Sequence, residues 1–463
     1  MTSLLWLRRD LRIEDNISLY FASQEKEAIQ PIFIFDENIL SRFKNPNDKR
    51  ISFITDSLIK IDNELRKENS ELLVFYGKPE EIIPKIALSL NVKKIFAGQD
   101  YEPYGVKRDK DISKHVKLIL NNDHLLLTPD RILKEDGSNY RVFTPYFRKW
   151  LETINPLDYG AYNIKAPYNF ANTNNLRTIL ANSGIIPIRL ESSSTKSNFK
   201  PEDCNKRLNF FINSLLPDYN HQRDLLGCDG TSAISPYLRF GNLSVRQCYR
   251  EAIKNNSNSR WINELAWRDF YAMILYYYPD SINLEMQHQY RNLKWNSNPE
   301  LFNKFTSGET GFPVVDAAVK QLTTTGWMHN RARMIVASFM TKNLWLDWRL
   351  GEEFFAQYLM DYELSSNVGG WQWCASTGTD AQPYFRIFNP YSQSQKFDPN
   401  GNYIRKYLPE LLNLSNKEIH CPSDLFRPRG YPRPIVDYAL TRKQAIENFK
   451  SHSTVTDLAK FLG

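Results

Sequence analysis

Glu264, Trp267, Arg268 and Tyr271 fall at i, i+3, i+4 and i+7, the spacing of one helix face. That face offers a carboxyl, an indole plane, a guanidinium and a phenol. Such a wall suits a flat heterocycle, stacked on the indole and hydrogen-bonded at its edge by the carboxyl. The plainer alternative is a solvated face with an intrahelical Glu–Arg pair, worth little. A second segment runs from Thr325 to Met334. Asn330 and Met334 are helix neighbours there, while Arg331 and Arg333 point to different faces. One arginine can meet a phosphate while the other pairs internally. His329 reads as structural.

A third segment runs from Asp361 to Trp373. Asp361 and Glu363 can hold ribose hydroxyls or a ring N–H. Gly369 and Gly370 let backbone approach a ligand closely. Trp371 and Trp373 cannot share a helix face, so they are expected to serve different sites; the plain alternative is two core indoles. The stretch Thr377 to Pro390, with Arg386, interleaves aromatic and basic residues, a composition suited to single-stranded or distorted nucleic acid. No Ser/His/Asp order, metal-ligand cluster or phosphate loop is found, so no metal is expected.

These segments need a scaffold to hold them. The chain has 463 residues, enough for two or three domains. Its net charge of +7 suits a polyanionic partner. Of the 10 Trp, only Trp6 precedes Trp150. The 5 Cys form no C-x-x-C pair, which argues against a disulfide framework or a zinc site and for a reducing, cytoplasmic setting. No apolar run of about 18 residues exists, so no membrane span is expected.

Leu4–Leu7, Ile32–Phe35, Leu72–Phe75, Lys94–Ala97 and Leu125–Leu127 are short apolar runs that suit strands buried on both faces. Ile54, Leu58, Ile61 and Leu65 mark a helix face between them, and Gly77-Lys78-Pro79 reads as a turn into another helix. The alternation predicts an α/β domain with a parallel, Rossmann-like sheet over residues 1–130. No G-x-G-x-x-G follows the first strand, so the usual dinucleotide grip is not expected. Residues 131–200 read as a surface connector, with polar runs at Asn172–Asn175 and Ser192–Thr195. Residues 201–463 read as an all-α domain, with helical stretches at Glu264–Tyr278, Val314–Thr325 and Asn330–Lys342.

Taken together, the segments resemble the photolyase/cryptochrome family, and most of all the class I cyclobutane pyrimidine dimer photolyases. The resemblance runs from Trp6-Leu7-Arg8-Arg9-Asp10-Leu11-Arg12 to Pro434-Ile435-Val436. Its most specific part is Trp371-Gln372-Trp373 followed in register by Ser376-Thr377-Gly378-Thr379-Asp380 and Arg386-Ile387-Phe388-Asn389-Pro390. It implies light-driven repair of cyclobutane dimers in UV-damaged DNA by electron transfer from excited, anionic reduced FAD, that is, a carbon–carbon lyase. It also implies a helical domain that holds FAD folded in a U shape, which accounts for the missing glycine fingerprint.

The resemblance further implies roles. Tyr219 and Thr231-Ser232-Ala233-Ile234-Ser235 match the grip on the FAD adenosine and phosphates. Asn330, Arg333, Asp361 and Glu363 match positions around the isoalloxazine and ribose, with Arg333 pairing to Asp361. Asn367 matches the residue facing flavin N5. Glu264, Trp267, Asn330, Met334 and Trp373 match the lesion pocket, with Arg268 on the same face. Arg223, Arg331, Arg386 and Lys396 match phosphate contacts. Trp371, Trp348 and Trp295 match the chain of tryptophans that photoreduces FAD. Glu102 matches an antenna contact, for methenyltetrahydrofolate or a deazaflavin. A monomer is expected.

The chain departs from the family at three places. Glu363 stands where a second Asp is usual, Val368 where a second Asn is common, and Pro279–Leu284 lacks the Cys-Lys pair of the folate-binding type. A signalling cryptochrome without repair is the alternative; the lesion pocket, Asn367 and the short tail argue against it. Repair of (6-4) photoproducts is disfavoured because Asn330 and Met334 stand where that subgroup has His.

Overall fold

The computed structural model describes residues 2–45, 48–164, 168–192, 195, 197–256 and 260–452. Ser193 and Ser194 of the expected connector, and the tail beyond 452, lie outside the described residues. The chain divides into two compact units. The first comprises residues 1–140, 144–217 and 232–276; the second comprises 141–143, 218–231 and 277–463. Among the described residues, no helix is long and apolar enough to cross a membrane.

The first unit is built on five parallel strands: β1 Thr2–Leu7, β2 Ala28–Asp36, β3 Leu73–Gly77, β4 Lys94–Gly98 and β5 Lys117–Asn121. Their order is β3-β2-β1-β4-β5. Leu4, Leu5 and Leu7 are fully buried in the central strand, as helices on both faces require. The Lys49–Lys67 helix buries Leu58, Ile61 and Leu65, as their spacing predicts. The Pro79–Ser89 helix begins on its proline.

Two expectations are corrected here. Leu125–Leu127 is not a strand; the fifth strand is Lys117–Asn121. The three leucines are buried, but the backbone N–H groups of Leu126 and Leu127 donate to the Asp269 carboxylate, at 3.3 and 3.0 Å, instead of to a neighbouring strand. The stretch 131–200 is also more ordered than a connector. It carries helices Phe143–Thr153 and Thr173–Asn182. Asn172, read as part of a polar loop, caps the second by accepting from Asn174 N. Tyr146 and Trp150, four residues apart, bury one face of the first, with Tyr146 5.1 Å from the Phe270 ring.

Helices Val245–Asn256 and Arg260–Tyr277 fold back onto the first unit. Arg12 and Arg246 share the buried Asp123, at 2.7 and 2.8 Å. Gly241, at φ +72°, lets the chain cross the N-terminal segment: a Cβ there would lie within 2.6 Å of Asp10 Cα.

The second unit is helical. Pro313–Thr325, Asn330–Ser338, Trp348–Tyr358 and Leu364–Ala375 surround a core that includes Val315, Leu322, Ile335, Trp348 and Trp371. The Asn330–Ser338 helix continues into a π-helical turn over Phe339–Asn343. Tyr438–Lys450 closes the described chain.

Candidate active site

In the first unit, the Arg260–Tyr277 helix buries Trp261, Ile262, Leu265, Ala266, Asp269, Phe270 and Ala272–Leu275. Glu264, Trp267, Arg268 and Tyr271 are left half-buried along one stripe, the arrangement their spacing predicts. The Trp267 ring lies 5.2 Å from Tyr271 and 5.4 Å from Phe270. Asp269 anchors the opposite face: besides Leu126 and Leu127 it accepts from Trp150 Nε1 at 2.9 Å. Burial pushes its carboxyl up to about 6. The Arg268 guanidinium turns to His124, donating to its carbonyl at 3.3 Å. Burial, then Arg9, Arg268 and Arg239, hold the His124 imidazole well below its usual range, so it is neutral.

Ser232–Ser235 forms a turn into the short Ser235–Phe240 helix, and Ser232 O accepts from Arg207 Nε at 2.8 Å. Ala233 has φ +49° and Ile234 φ −98°. Consecutive residues of opposite φ sign aim their N–H groups to one side, a backbone form that receives anions. Glu102 accepts from Arg9 Nη1 at 3.3 Å, beside Asp100 at 3.6 Å.

In the second unit, Arg333 and Asp361 come together as their pairing predicts. Arg333 Nη2 donates to both Asp361 oxygens, at 2.7 and 3.0 Å, and its Nε donates to Met328 O at 2.8 Å. Asn330 Nδ2 lies 3.8 Å from Met334 Sδ. His329 is structural: it accepts from Arg331 N as a helix cap, and burial pushes it down to about 4, leaving it neutral. Arg331 pairs with Asp224 at 2.9 Å and lies over the Phe397 ring. Arg223 lies 5.3 Å above the Tyr219 ring. Arg386 and Lys396 are exposed. Glu363 stands at the N-cap of Leu364–Ala375 without a side-chain capping bond, and Val368 is buried in that helix.

Asn367 is buried, and its Nδ2 donates to Glu352 O at 3.1 Å and Glu352 Oε1 at 3.0 Å. Glu352, which also accepts from Tyr362 OH at 2.9 Å, carries no motif signal and was not anticipated. A Cβ built on Gly370 meets no protein atom within 4 Å, so packing within the chain does not demand glycine there.

The indoles divide as their positions require. Two residues apart on one helix, Trp371 is buried and Trp373 half-buried. Trp371 rests on the Trp348–Tyr358 helix, where Gly351 supplies a notch, and its ring meets Phe355 edge-on at 4.9 Å. Gly351 lies three residues after Trp348, on the same turn. Trp348 is fully buried and donates from Nε1 to Glu285 Oε1 at 3.2 Å. Trp295 lies 5.0 Å from Trp345. Gly351 and Glu285 also escaped sequence reading; a lone glycine inside a helix next to Trp348 was the one available signal.

Residues 3–165 match the family described as DNA photolyase, and residues 261–451 match the FAD binding domain of DNA photolyase. A deoxyribodipyrimidine photo-lyase of Synechococcus sp. is 36% identical over 471 residues, covering 95% of each chain. A bacterial class III photolyase from Agrobacterium tumefaciens has a TM-score of 0.83 at 29% identity, with 97% of each chain covered. An archaeal photolyase from Sulfolobus tokodaii, solved with two FAD molecules, has a TM-score of 0.80 at 30% identity, covering 97% of this chain and 100% of that one. The expected fold, a parallel N-terminal sheet followed by a largely helical remainder, is borne out. The chain belongs to the DNA photolyase family.

Proposed function

We propose that the protein is a deoxyribodipyrimidine photo-lyase that repairs cyclobutane pyrimidine dimers in UV-damaged DNA under light. The observation that carries this reading is the stripe of Glu264, Trp267 and Tyr271, half-buried beside the buried face of one helix, in a chain 36% identical to a named photo-lyase. FAD, which the matched domain binds, supplies the light-driven one-electron chemistry. The second unit suits such a group: Asn367 and Asp361 are buried polar side chains, and Gly370 offers a place where no Cβ is packed. Asn330, Arg333, Asp361, Glu363 and Asn367 hold its ring and ribose in this reading. Tyr219, Thr231 and Ser232–Ser235 hold its adenosine and phosphates, the last through the turn at Ala233.

Photolyases are among the enzymes that extrude their target from the duplex. In the first unit, Trp267 is assigned to stacking on the extruded dimer; in the second, Trp373, Asn330 and Met334 stand at the family's lesion-contact positions. Glu264 hydrogen-bonds a pyrimidine carbonyl and steadies the negative charge that develops there, a preorganised electrostatic role. Arg223, Arg331 and Arg386 meet phosphates. Arg268, committed to His124, holds the helix more than it holds DNA. Trp371, Trp348 and Trp295 carry electrons inward to keep the cofactor reduced. Glu102 contacts an antenna chromophore of folate or deazaflavin type. None of the five cysteines is bonded to another, in keeping with a reducing, cytoplasmic setting, and the protein works as a monomer in this reading.

The test is dimer content in DNA incubated with the FAD-loaded, reduced protein under near-ultraviolet light and in darkness. Loss of dimers in the light alone is expected. Equal dimer content in both arms would sink the proposal.

A further inference from the structure

The three relay indoles differ sharply in what their N–H groups meet. The Nε1 atoms of Trp371 and Trp295 are buried without a hydrogen-bond partner among the described residues. The Nε1 of Trp348 donates to the Glu285 carboxylate at 3.2 Å. Glu285 is itself buried, and Arg349 holds it from both nitrogens, at 3.0 Å to Oε1 and 2.9 Å to Oε2. Arg349 is fixed in turn by Asn283 O at 2.7 Å and by Asp347 at 3.0 Å. Its guanidinium sits 4.6 Å from the Trp348 ring centroid.

An indole that gives up an electron becomes positively charged. A carboxylate on its N–H favours that state; a guanidinium over its face opposes it. Without Glu285, the N–H of Trp348 would lose its carboxylate while the guanidinium, still paired with Asp347, stayed over its face. From these contacts we propose that Glu285 is a positioning residue of the electron relay, making Trp348 easier to oxidise than Trp371 and so setting the direction of electron supply. The inference rests on the reading of Trp371, Trp348 and Trp295 as a relay.

The step balances simply. Once Trp371 has lost an electron, one electron crosses to it from Trp348. Trp371 is restored and Trp348 is left oxidised, beside a carboxylate that offsets its charge. No bond forms or breaks and no proton moves. By the same argument Glu285 holds the vacancy on Trp348, because the Nε1 of Trp295 also lacks an acceptor among the described residues; the hop from Trp295 to Trp348 is uphill and is drawn forward by a thiol-class reductant in solution, which gives its electron to Trp295. The N–H of Trp371 has the complementary effect: no acceptor among the described residues offsets the charge of its oxidised state, so the vacancy moves outward to Trp348. Trading the charged acceptor for a neutral one shifts the Trp348–Trp371 equilibrium by about tenfold, the difference between charge-assisted and ordinary hydrogen bonds.

The experiment compares Glu285→Gln, Glu285→Asp and Trp348→Phe as FAD-loaded proteins. Three readouts are taken: the yield of photoreduction with a thiol, the transient absorption of the tryptophan radical, and the indole N–H proton resonances in the dark. In the parent, the Trp348 N–H should resonate furthest downfield of the three relay indoles. Glu285→Gln should move it upfield and cut both photoreduction and radical yield about tenfold. Glu285→Asp, which keeps the charge, should recover most of the yield. FAD content per folded protein should stay near the parent's in all three variants, while the melting temperature should fall, because Trp348 and Glu285 are buried.

The failures separate. Photoreduction undiminished in Trp348→Phe overturns the relay reading itself. Photoreduction blocked in Trp348→Phe but intact in Glu285→Gln overturns only the role of Glu285. Should Glu285→Gln fail to fold, the parent's spectrum decides: a Trp348 N–H resonating with those of Trp371 and Trp295 overturns the proposal.

Discussion

Replacing Gly351 by alanine tests how tightly Trp371 is seated. In a helix interior, Gly→Ala ordinarily stabilises by about 1 kcal/mol, because glycine loses more backbone freedom on folding. The sign should reverse here. A Cβ at Gly351 would lie 2.6 Å from Trp371 Cζ2, and nearer still to Cζ3 and Cη2, where ordinary contact begins at 3.4 Å. The indole is rigid, buried and backed by Phe355, so it cannot yield by a few tenths of an ångström. Overpacking of this kind costs about 1–3 kcal/mol, and an overlap approaching 1 Å or more belongs at the upper end. The net expectation is a loss of about 1–2 kcal/mol, a fall of a few degrees in Tm at roughly 2–4 °C per kcal/mol. The assay is a double-mutant cycle by thermal or chemical unfolding. On a Trp371→Phe background, whose shorter ring leaves the notch, the same alanine should stabilise by about 1 kcal/mol. The coupling should therefore be about 2–3 kcal/mol. If Gly351→Ala raises Tm in the parent, or the cycle is additive within about 0.5 kcal/mol, the packing argument is wrong.

Glu264→Ala should slow dimer repair roughly tenfold, the worth of one well-placed hydrogen bond, while FAD content changes little; an unchanged repair yield removes Glu264 from the chemistry. Arg333→Gln leaves the Asp361 carboxylate, with its side chain only 4% exposed, without its cation, so a stability loss of about 3 kcal/mol is expected; a denaturation midpoint equal to the parent's would refute this. Asp316 accepts from Thr310 N, Thr310 Oγ1, Gly311 N and Tyr431 OH, and burial still pushes its carboxyl up to about 6 from 3.8. Folding therefore takes up a proton between those values: the contribution is full below about pH 4 and is lost as pH rises through 6, worth roughly 3 kcal/mol. Asp316→Asn should flatten that part of the stability–pH profile, and an identical slope in parent and variant counts against it.

Four of the five strands were legible because a run of apolar residues buried on both faces has few other uses. The fifth was misplaced for a physical reason. Lys117–Asn121 is a partly exposed edge strand with charged and polar ends, whereas Leu125–Leu127 is fully apolar. An apolar run reports burial, not pairing, and here a distant carboxylate satisfies the amides. Within the site, the Glu264 stripe was readable because helix neighbours lie close in sequence. The Arg333–Asp361 pair, 28 residues apart, came only from resemblance. Glu285 and Gly351 stayed hidden because each acts on an indole many residues away, across separate elements, and neither type announces a role alone.

The grip of Asp269 on Leu126 and Leu127 bears on how the protein is made. The bonded groups lie 143 and 142 positions apart, and Trp150, 119 positions upstream of Asp269, shares the same carboxylate. On a ribosome adding about 5–20 residues per second, Asp269 emerges roughly 7–30 s after the leucines it must cap. During that interval the segment after the fifth strand carries two apolar-flanked amides, and the Phe143–Thr153 helix an indole N–H, with no native partner. A chain stopped near residue 200 would keep them so. These groups thus gain their acceptor only once the Arg260–Tyr277 helix has been translated, and expression of the N-terminal strands alone should give a chaperone-dependent, aggregation-prone fragment.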